Sequence, residues 1–288
     1  MLVQSIDHEI PSGAVDPAPS SNIAADGYCI FRDVLSRQEI ETSRKLLHRY
    51  FRQNGTHRHG GKIEWRGIHK LPELADIVIN DRLLGALHAC TSPDDPVLTG
   101  ESDLQINTLS RWHKDIDQDG ELKEHADRPN GWRVCKAAIY LQDQPADSKQ
   151  ALKVRPGSHR RRLGEVTQEV ALGVRAGDVI MFDVRIDHAG QFPSWWDKSL
   201  RRLLMAGGRI TKGDPESRFA AVRGALRALG GRVEDRMAIY LTFGSPNAAT
   251  YAYEQVGRRN HGPVPADLDG EARSRLARWN VAMIGAAS

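Results

Sequence analysis

The sequence predicts a mainly β domain of sandwich or barrel type with flanking helices, and three observations carry that prediction. From about Val97 onward the chain breaks into short strand-like runs, at 103–111, 133–143, 151–155, 178–183 and 236–244, separated by turn signals. Helices are expected in the first third and in one later insertion, and the short-strand texture between them argues against a parallel sheet with crossover helices. The 288 residues fit one large domain, because a single β-barrel or sandwich reaches that size.

Residues 1–22, rich in Pro, Ser, Ala and Asp, read as a flexible N-terminal arm, and residues 23–288 as the domain. Gly27-Tyr28-Cys29-Ile30-Phe31 reads as an opening strand. Ser36-Arg37-Gln38-Glu39 has the spacing of a capping box, followed by an apolar stripe of Ile40, Leu46, Leu47 and Tyr50 up to about Phe51. The Gly/His-rich stretch 53–61 is expected as a loop. A second helix is expected over 80–90, carrying Leu83, Leu84 and Leu87 and ended by Ser92-Pro93-Asp94-Asp95-Pro96. Between the last two strand candidates, Phe219, Val222, Ala225, Leu226 and Leu229 recur at helical spacing, which predicts a helical insertion at about 214–230 that forms a lid or a subunit contact.

Charge excludes some partners. Forty basic against 37 acidic residues leave a net charge of +3, which gives no bulk electrostatic case for nucleic acid or a membrane surface. Three widely spaced cysteines, Cys29, Cys90 and Cys135, argue against a disulfide framework and a cysteine-based zinc site, and reduced thiols fit a cytoplasmic protein. The N-terminus lacks a basic start followed by an apolar run, so no signal peptide is expected, and no stretch reaches the length of a membrane span. The expected partner is a small-molecule substrate, and the expected state a monomer or homodimer.

The chemistry concentrates at Trp112-His113-Lys114-Asp115, which reads as the end of a strand, where residues two apart share a face. Downstream, Phe182-Asp183-Val184-Arg185-Ile186-Asp187-His188 again ends an apolar strand in a histidine. His113, Asp115 and His188 have the composition of the two-histidine, one-carboxylate facial triad, which holds Fe(II) on one face and leaves the opposite positions open. Asp187 is placed to accept the free N–H of the third ligand. Trp112 points away from the ligands, towards the core.

Further segments follow in a recognisable order: Ala137-Ala138-Ile139-Tyr140-Leu141-Gln142-Asp143, then Arg155-Pro156-Gly157-Ser158-His159, then Ala176-Gly177-Asp178 leading into Val179-Ile180-Met181-Phe182. With the opening strand and the H-x-D pair, these resemble the phytanoyl-CoA dioxygenase-like Fe(II)/2-oxoglutarate oxygenases over residues 24 to 255 or thereabouts. The resemblance implies a double-stranded β-helix (jelly roll, cupin-like), Fe(II) as cofactor, and 2-oxoglutarate and O2 as co-substrates. It implies oxidation of an unactivated C–H bond, by hydroxylation, oxidative ring closure or desaturation, and members of the group act on acyl thioesters, amino acids, alkaloids and carbohydrates, antibiotic intermediates included. The distal carboxylate of 2-oxoglutarate needs a cation, and a planar guanidinium suits it; Arg236, at the head of the last core strand, is favoured over Arg202. Lys136, Gln105 and Asn107 are candidates for the other end of the keto acid. Substrate contacts are expected from His57, His59, Trp65, Asp117, Trp195 and Trp196, whose polar and aromatic character suits a small polar molecule, sugar-containing or a secondary metabolite. Two competing readings are a non-catalytic jelly-roll binding protein, which the intact triad opposes, and a cupin-type metalloenzyme without a keto acid, which the arginine opposes.

Overall fold

The computed structural model describes residues 22–116, 120–126, 132–207, 214–229 and 234–285. The arm expected at 1–22 therefore lies outside the described residues except for Asn22, which caps a short helix, α1 (Ile23–Asp26). Gly27 then turns left-handed and releases the chain into β1 (Tyr28–Phe31). Helix α2 (Arg37–Gln53) starts at the capping box as expected. The Ser36 hydroxyl accepts the Glu39 N–H at 3.3 Å, and the Glu39 carboxylate accepts the Ser36 N–H at 2.6 Å.

The stretch expected as a loop at 53–61 is instead a hairpin, β2 (Thr56–Arg58) and β3 (Gly61–Trp65). Arg58 pairs with Gly61, so only His59 and Gly60 form the turn, with φ of 52° and 74°. Positive φ at both central residues is what a two-residue turn of matching twist demands, and His-Gly takes the place of the usual Asn-Gly. Helices α3 (Gly67–Lys70), α4 (Pro72–Val78) and α5 (Asp81–Thr91) follow, the last capped by Asn80 as its expected start implies.

The sandwich is built from β4 (Val97–Ile106), a short α6 (Lys123–Ala126), β5 (Val134–Tyr140), β6 (Leu152–Val154), β7 (Val170–Leu172), β8 (Val179–Asp183) and β9 (His188–Ala189). Two helices come next, α7 (Trp195–Gly207) and α8 (Pro215–Leu229), then β10 (Met237–Gly244), α9 (Ala248–His261), α10 (Gly270–Arg278) and β11 (Ala282–Met283). One sheet runs in the order β1-β8-β5-β10-β4-β3-β2, with β11 parallel to the start of β4; the other is β7-β6-β9.

Alternation along the strands sorts the core into two layers. Ala137, Ile139, Met181, Ile239 and Leu241 face the helices, where they join Leu47, Leu74, Val78, Leu83, Leu84 and Leu276. Ala138, Tyr140, Ile180, Phe182 and Ala238 face the small sheet and meet Leu152, Val154 and Leu172. This face-to-face pairing is the jelly roll that the sequence predicted. No helix among the described residues is long and apolar enough to cross a membrane.

Candidate metal centre and its cavity

The strand expected over 103–111 starts earlier and stops at Ile106, because Asn107 turns left-handed with φ 59°. Its side chain is occupied there: the amide donates to Asp235 at 2.7 Å and accepts the Arg236 N–H at 3.1 Å. The H-x-D pair is thus carried on a loop rather than a strand end. Sheet geometry resumes for one residue pair only, where His113 and His188 exchange both backbone N–H···O bonds at 3.0 Å. The Asp115 N–H binds the Val184 carbonyl at 2.9 Å, fixing the carboxylate beside the imidazoles.

The two imidazoles are held alike. A carbonyl can only accept, so each Nδ1 carries the proton, donating to Arg111 O at 2.7 Å from His113 and to Ile186 O at 3.1 Å from His188. Both Nε2 lone pairs are left free, and they converge on one oxygen of Asp115 at 3.5 and 3.6 Å. One donor atom from each of the three lies within 4.8 Å of the others, close enough to hold one metal ion. Lys136 reaches the second oxygen of Asp115 at 2.9 Å. Burial opposes ionisation of Asp115, yet the Lys136 ammonium beside it outweighs burial and holds the carboxyl well below its usual range. Burial, then the neighbouring His113, push the His188 imidazole down to about 4, so it stays neutral and able to ligate at neutral pH.

The triad opens on a cavity of about 460 Å³. Its floor is the inner face of the large sheet, contributed by Asp103 and Gln105 of β4, Lys136 of β5 and Tyr240 of β10, and its roof by Asp197, Lys198 and Arg201 of α7 with Phe219 of α8. At one end stands Arg236, only 2 % exposed. Its guanidinium donates to the Tyr140 hydroxyl at 3.2 Å and the Gln150 carbonyl at 3.3 Å, and no acidic side chain pairs with it among the described residues. A buried cation whose partners are all neutral is electrostatically under-compensated. Gly190 leaves it room, since a Cβ there would come within 3.0 Å of the guanidinium.

The structure thus brings His113, Asp115, His188, Lys136, Gln105, Arg236 and His59 to one cavity. It places the other candidates elsewhere. Asn107 is spent on Asp235. His57 lies on β2 outside the cavity lining, and Trp65 stacks flat on His261, with ring centres 5.2 Å apart. Trp195 and Trp196, expected as substrate contacts, stand 67 % and 73 % exposed on the first turn of α7. On the same helix Arg202 faces solvent while Arg201 lines the cavity and pairs with Glu216. Asp117 lies outside the described residues. Asp187 does not support His188, whose free N–H goes to Ile186, and Trp112 lines the cavity half-buried beneath Arg155 rather than in the core. Asp103, Tyr240, Lys198 and Phe219 were not expected here as site residues. Asp103 and Tyr240 obey the alternation that picks out Gln105 and Ala238, so the signal was present but unread.

Residues 23–191 match the family model of phytanoyl-CoA dioxygenase (PhyH). No curated protein matches the chain significantly in sequence. Among solved structures, the chain is similar to the non-haem α-ketoglutarate-dependent epimerase SnoN from nogalamycin biosynthesis, at 12 % identity over 77 % of this chain and 80 % of that one, with a TM-score of 0.52. It is similar too to HygX from Streptomyces hygroscopicus with nickel, 2-oxoglutarate and hygromycin B bound, at 14 % identity over 78 % and 85 %, with a TM-score of 0.52. The carbocyclase SnoK from nogalamycin biosynthesis gives 18 % identity over 87 % and 92 %, with a TM-score of 0.50. At such identities the likeness is one of fold. The family match spans more than half of the chain and contains His113, Asp115 and His188, so the chain belongs to the phytanoyl-CoA dioxygenase (PhyH) family and is, by that membership, an iron(II)- and 2-oxoglutarate-dependent oxygenase.

Proposed function

We propose that this oxygenase oxidises an unactivated C–H bond of a small polar molecule, by hydroxylation, oxidative ring closure or desaturation, with His113, Asp115 and His188 holding Fe(II) and Arg236 receiving the distal carboxylate of 2-oxoglutarate. One observation carries the reading: a convergent His-Asp-His set and a buried guanidinium without an acidic partner open on the same cavity. The donor set fits the metal, since two neutral imidazoles and one carboxylate supply charge without filling its coordination sphere. When bound, the iron and the keto acid supply, with O2, the oxidising power that removes a hydrogen atom from the substrate.

The chain's own residues position and shield. Lys136 holds the carboxylate of Asp115 ionised and in place, the Nδ1–H bonds fix both imidazole planes, and α7 and α8 cover the cavity against water. Asp103 supports a polar substrate, because one of its oxygens is buried without a hydrogen-bond partner and the residue lines the cavity. A hydroxyl or amine of the substrate would satisfy it. The test is an anaerobic titration with Fe(II) and 2-oxoglutarate, followed by the weak visible charge-transfer band of the chelate. The band should need both additions and vanish in His188→Ala; a protein that binds neither would sink the assignment.

A further inference from the structure

The residue between the first two ligands should, on a loop, point to solvent. Lys114 is instead buried, 8 % exposed, and takes no part in lining the cavity. Its ammonium lies 2.7 Å from a carboxylate oxygen of Asp187, the residue immediately before the third ligand. It also donates to the carbonyls of Ser158, at 2.7 Å, and Arg185, so its three protons are all used. Asp187 is fully buried. Its other carboxylate oxygen accepts the Gly164 N–H at 2.8 Å and lies 3.6 Å from Arg155, and its own N–H donates to the Ser158 hydroxyl at 2.8 Å. Arg155 in turn stacks over Trp112, 4.0 Å from the ring centre. The Pro156-Gly157-Ser158-His159 turn, which contributes nothing to the cavity, thereby holds Lys114 and Asp187 together.

A buried ion pair adds little net stability, because desolvation roughly cancels the attraction, and an apolar pair of like volume would serve a core as well or better. This one joins two segments that each carry metal ligands, and that junction is what an apolar pair could not specify. We infer that Lys114 and Asp187 are positioning residues whose ion pair, seated on Ser158, fixes the register of the two ligand-bearing segments and so sets the affinity of the site for a divalent transition metal. The inference rests on the metal assignment proposed above, and deepens it.

The test uses Co(II), which needs no exclusion of oxygen chemistry, and the double variant Lys114→Met/Asp187→Asn. Both charges are removed together, the lysine stem keeps its length in methionine, and the asparagine carbonyl can still accept from Gly164. The metal-free double variant should melt within a few degrees of the unaltered protein, while its Co(II) dissociation constant rises on the order of 10- to 100-fold, as outer partners of metal ligands typically command. The visible spectrum of bound Co(II) should change shape, which a general loss of stability would not produce. Lys114→Arg, keeping the charge, should recover part of the affinity. Should the double variant fail to fold, Ser158→Ala keeps both charges, loses one hydrogen bond to the Asp187 backbone and should show a smaller loss in the same direction. Equal Co(II) affinity and an unchanged spectrum in the folded variants overturn the clamp while leaving the metal site standing. No Co(II) binding by the unaltered protein overturns the metal assignment itself.

Discussion

Asp103 shows what a cavity carboxylate does to the fold that carries it. Burial pushes its carboxyl from 3.8 up to about 6, against the pull of Lys136. The folded state therefore holds the proton more tightly than the unfolded chain, and stability falls as pH rises from about 4 to about 6, with the full penalty present above that. Asp103→Asn removes the ionisation and nearly keeps the shape. It should stabilise the metal-free protein by on the order of 1–3 kcal/mol at pH 8 and by nothing near pH 3.5, read from melting at both pH values; a gain of equal size at both would show that the charge is not the cause. Arg236 gives a second residue-scale prediction. Arg236→Gln should raise the 2-oxoglutarate requirement by one to several orders of magnitude, on the scale of 2–5 kcal/mol for a lost buried charged contact, and Arg202→Gln should leave it unchanged because that side chain faces solvent. The reverse ranking in steady-state kinetics would move the keto acid to α7. That His113, Asp115, His188 and Arg236 meet at one cavity was legible because their residue types and sequence surroundings fit a single chemistry. His57, Trp65, Trp195 and Trp196 were not placed, since residue type says nothing about which way a side chain points when the element that carries it is misread.

The misread elements have identifiable causes. Helix α7 opens at Ser194-Trp195-Trp196-Asp197, in which the Ser194 hydroxyl accepts the Asp197 N–H at 3.1 Å and the Asp197 carboxylate accepts the Ser194 N–H at 2.8 Å. That reciprocal cap is a helix start written in Asp rather than Glu, and no helix was expected there. Asn107 ended β4 early for a reason that lies in tertiary contacts to Asp235, which no local pattern contains. The insertion was read correctly as a helix, and α8 is no loose appendage: Arg223, 5 % exposed, donates to Asp197 at 2.9 Å, to Gly60 O at 2.8 Å and to Asn107 O at 2.6 Å. One side chain thus ties α8 to α7, to the β2–β3 turn and to the end of β4. Arg223→Met should loosen this roof without touching the triad. Metal binding should persist, while the ratio of succinate formed to substrate oxidised rises above one, as water enters a poorly closed site. A ratio held at one would leave α8 a spacer.

At the scale of the whole molecule, the metal site borders the core between the sheets, where Phe182 packs on His188 with ring centres 4.8 Å apart. The helix-facing core lies on the opposite face of the large sheet from Asp103, Lys136 and Tyr240, which floor the cavity. Chelation should accordingly leave the far-UV circular dichroism unchanged, and metal at about 100 times its dissociation constant should add about 2.7 kcal/mol through binding alone; collapse on chelation would make the metal structural. The sandwich was legible because β5, β8 and β10 are short apolar runs set between turn signals, as strands buried on both faces are, whereas the order of strands in the sheet depends on long-range pairing that no local run encodes. The reciprocal bridge between His113 and His188 has a bearing on time as well as on place. Each amide proton is engaged by the other residue's carbonyl, so neither can reach solvent unless both bonds part together. The two amides should then exchange with deuterium at one shared rate, slowed to the same degree when metal is added, and the ion should depart through a single opening of that bridge rather than by shedding its imidazoles one after the other.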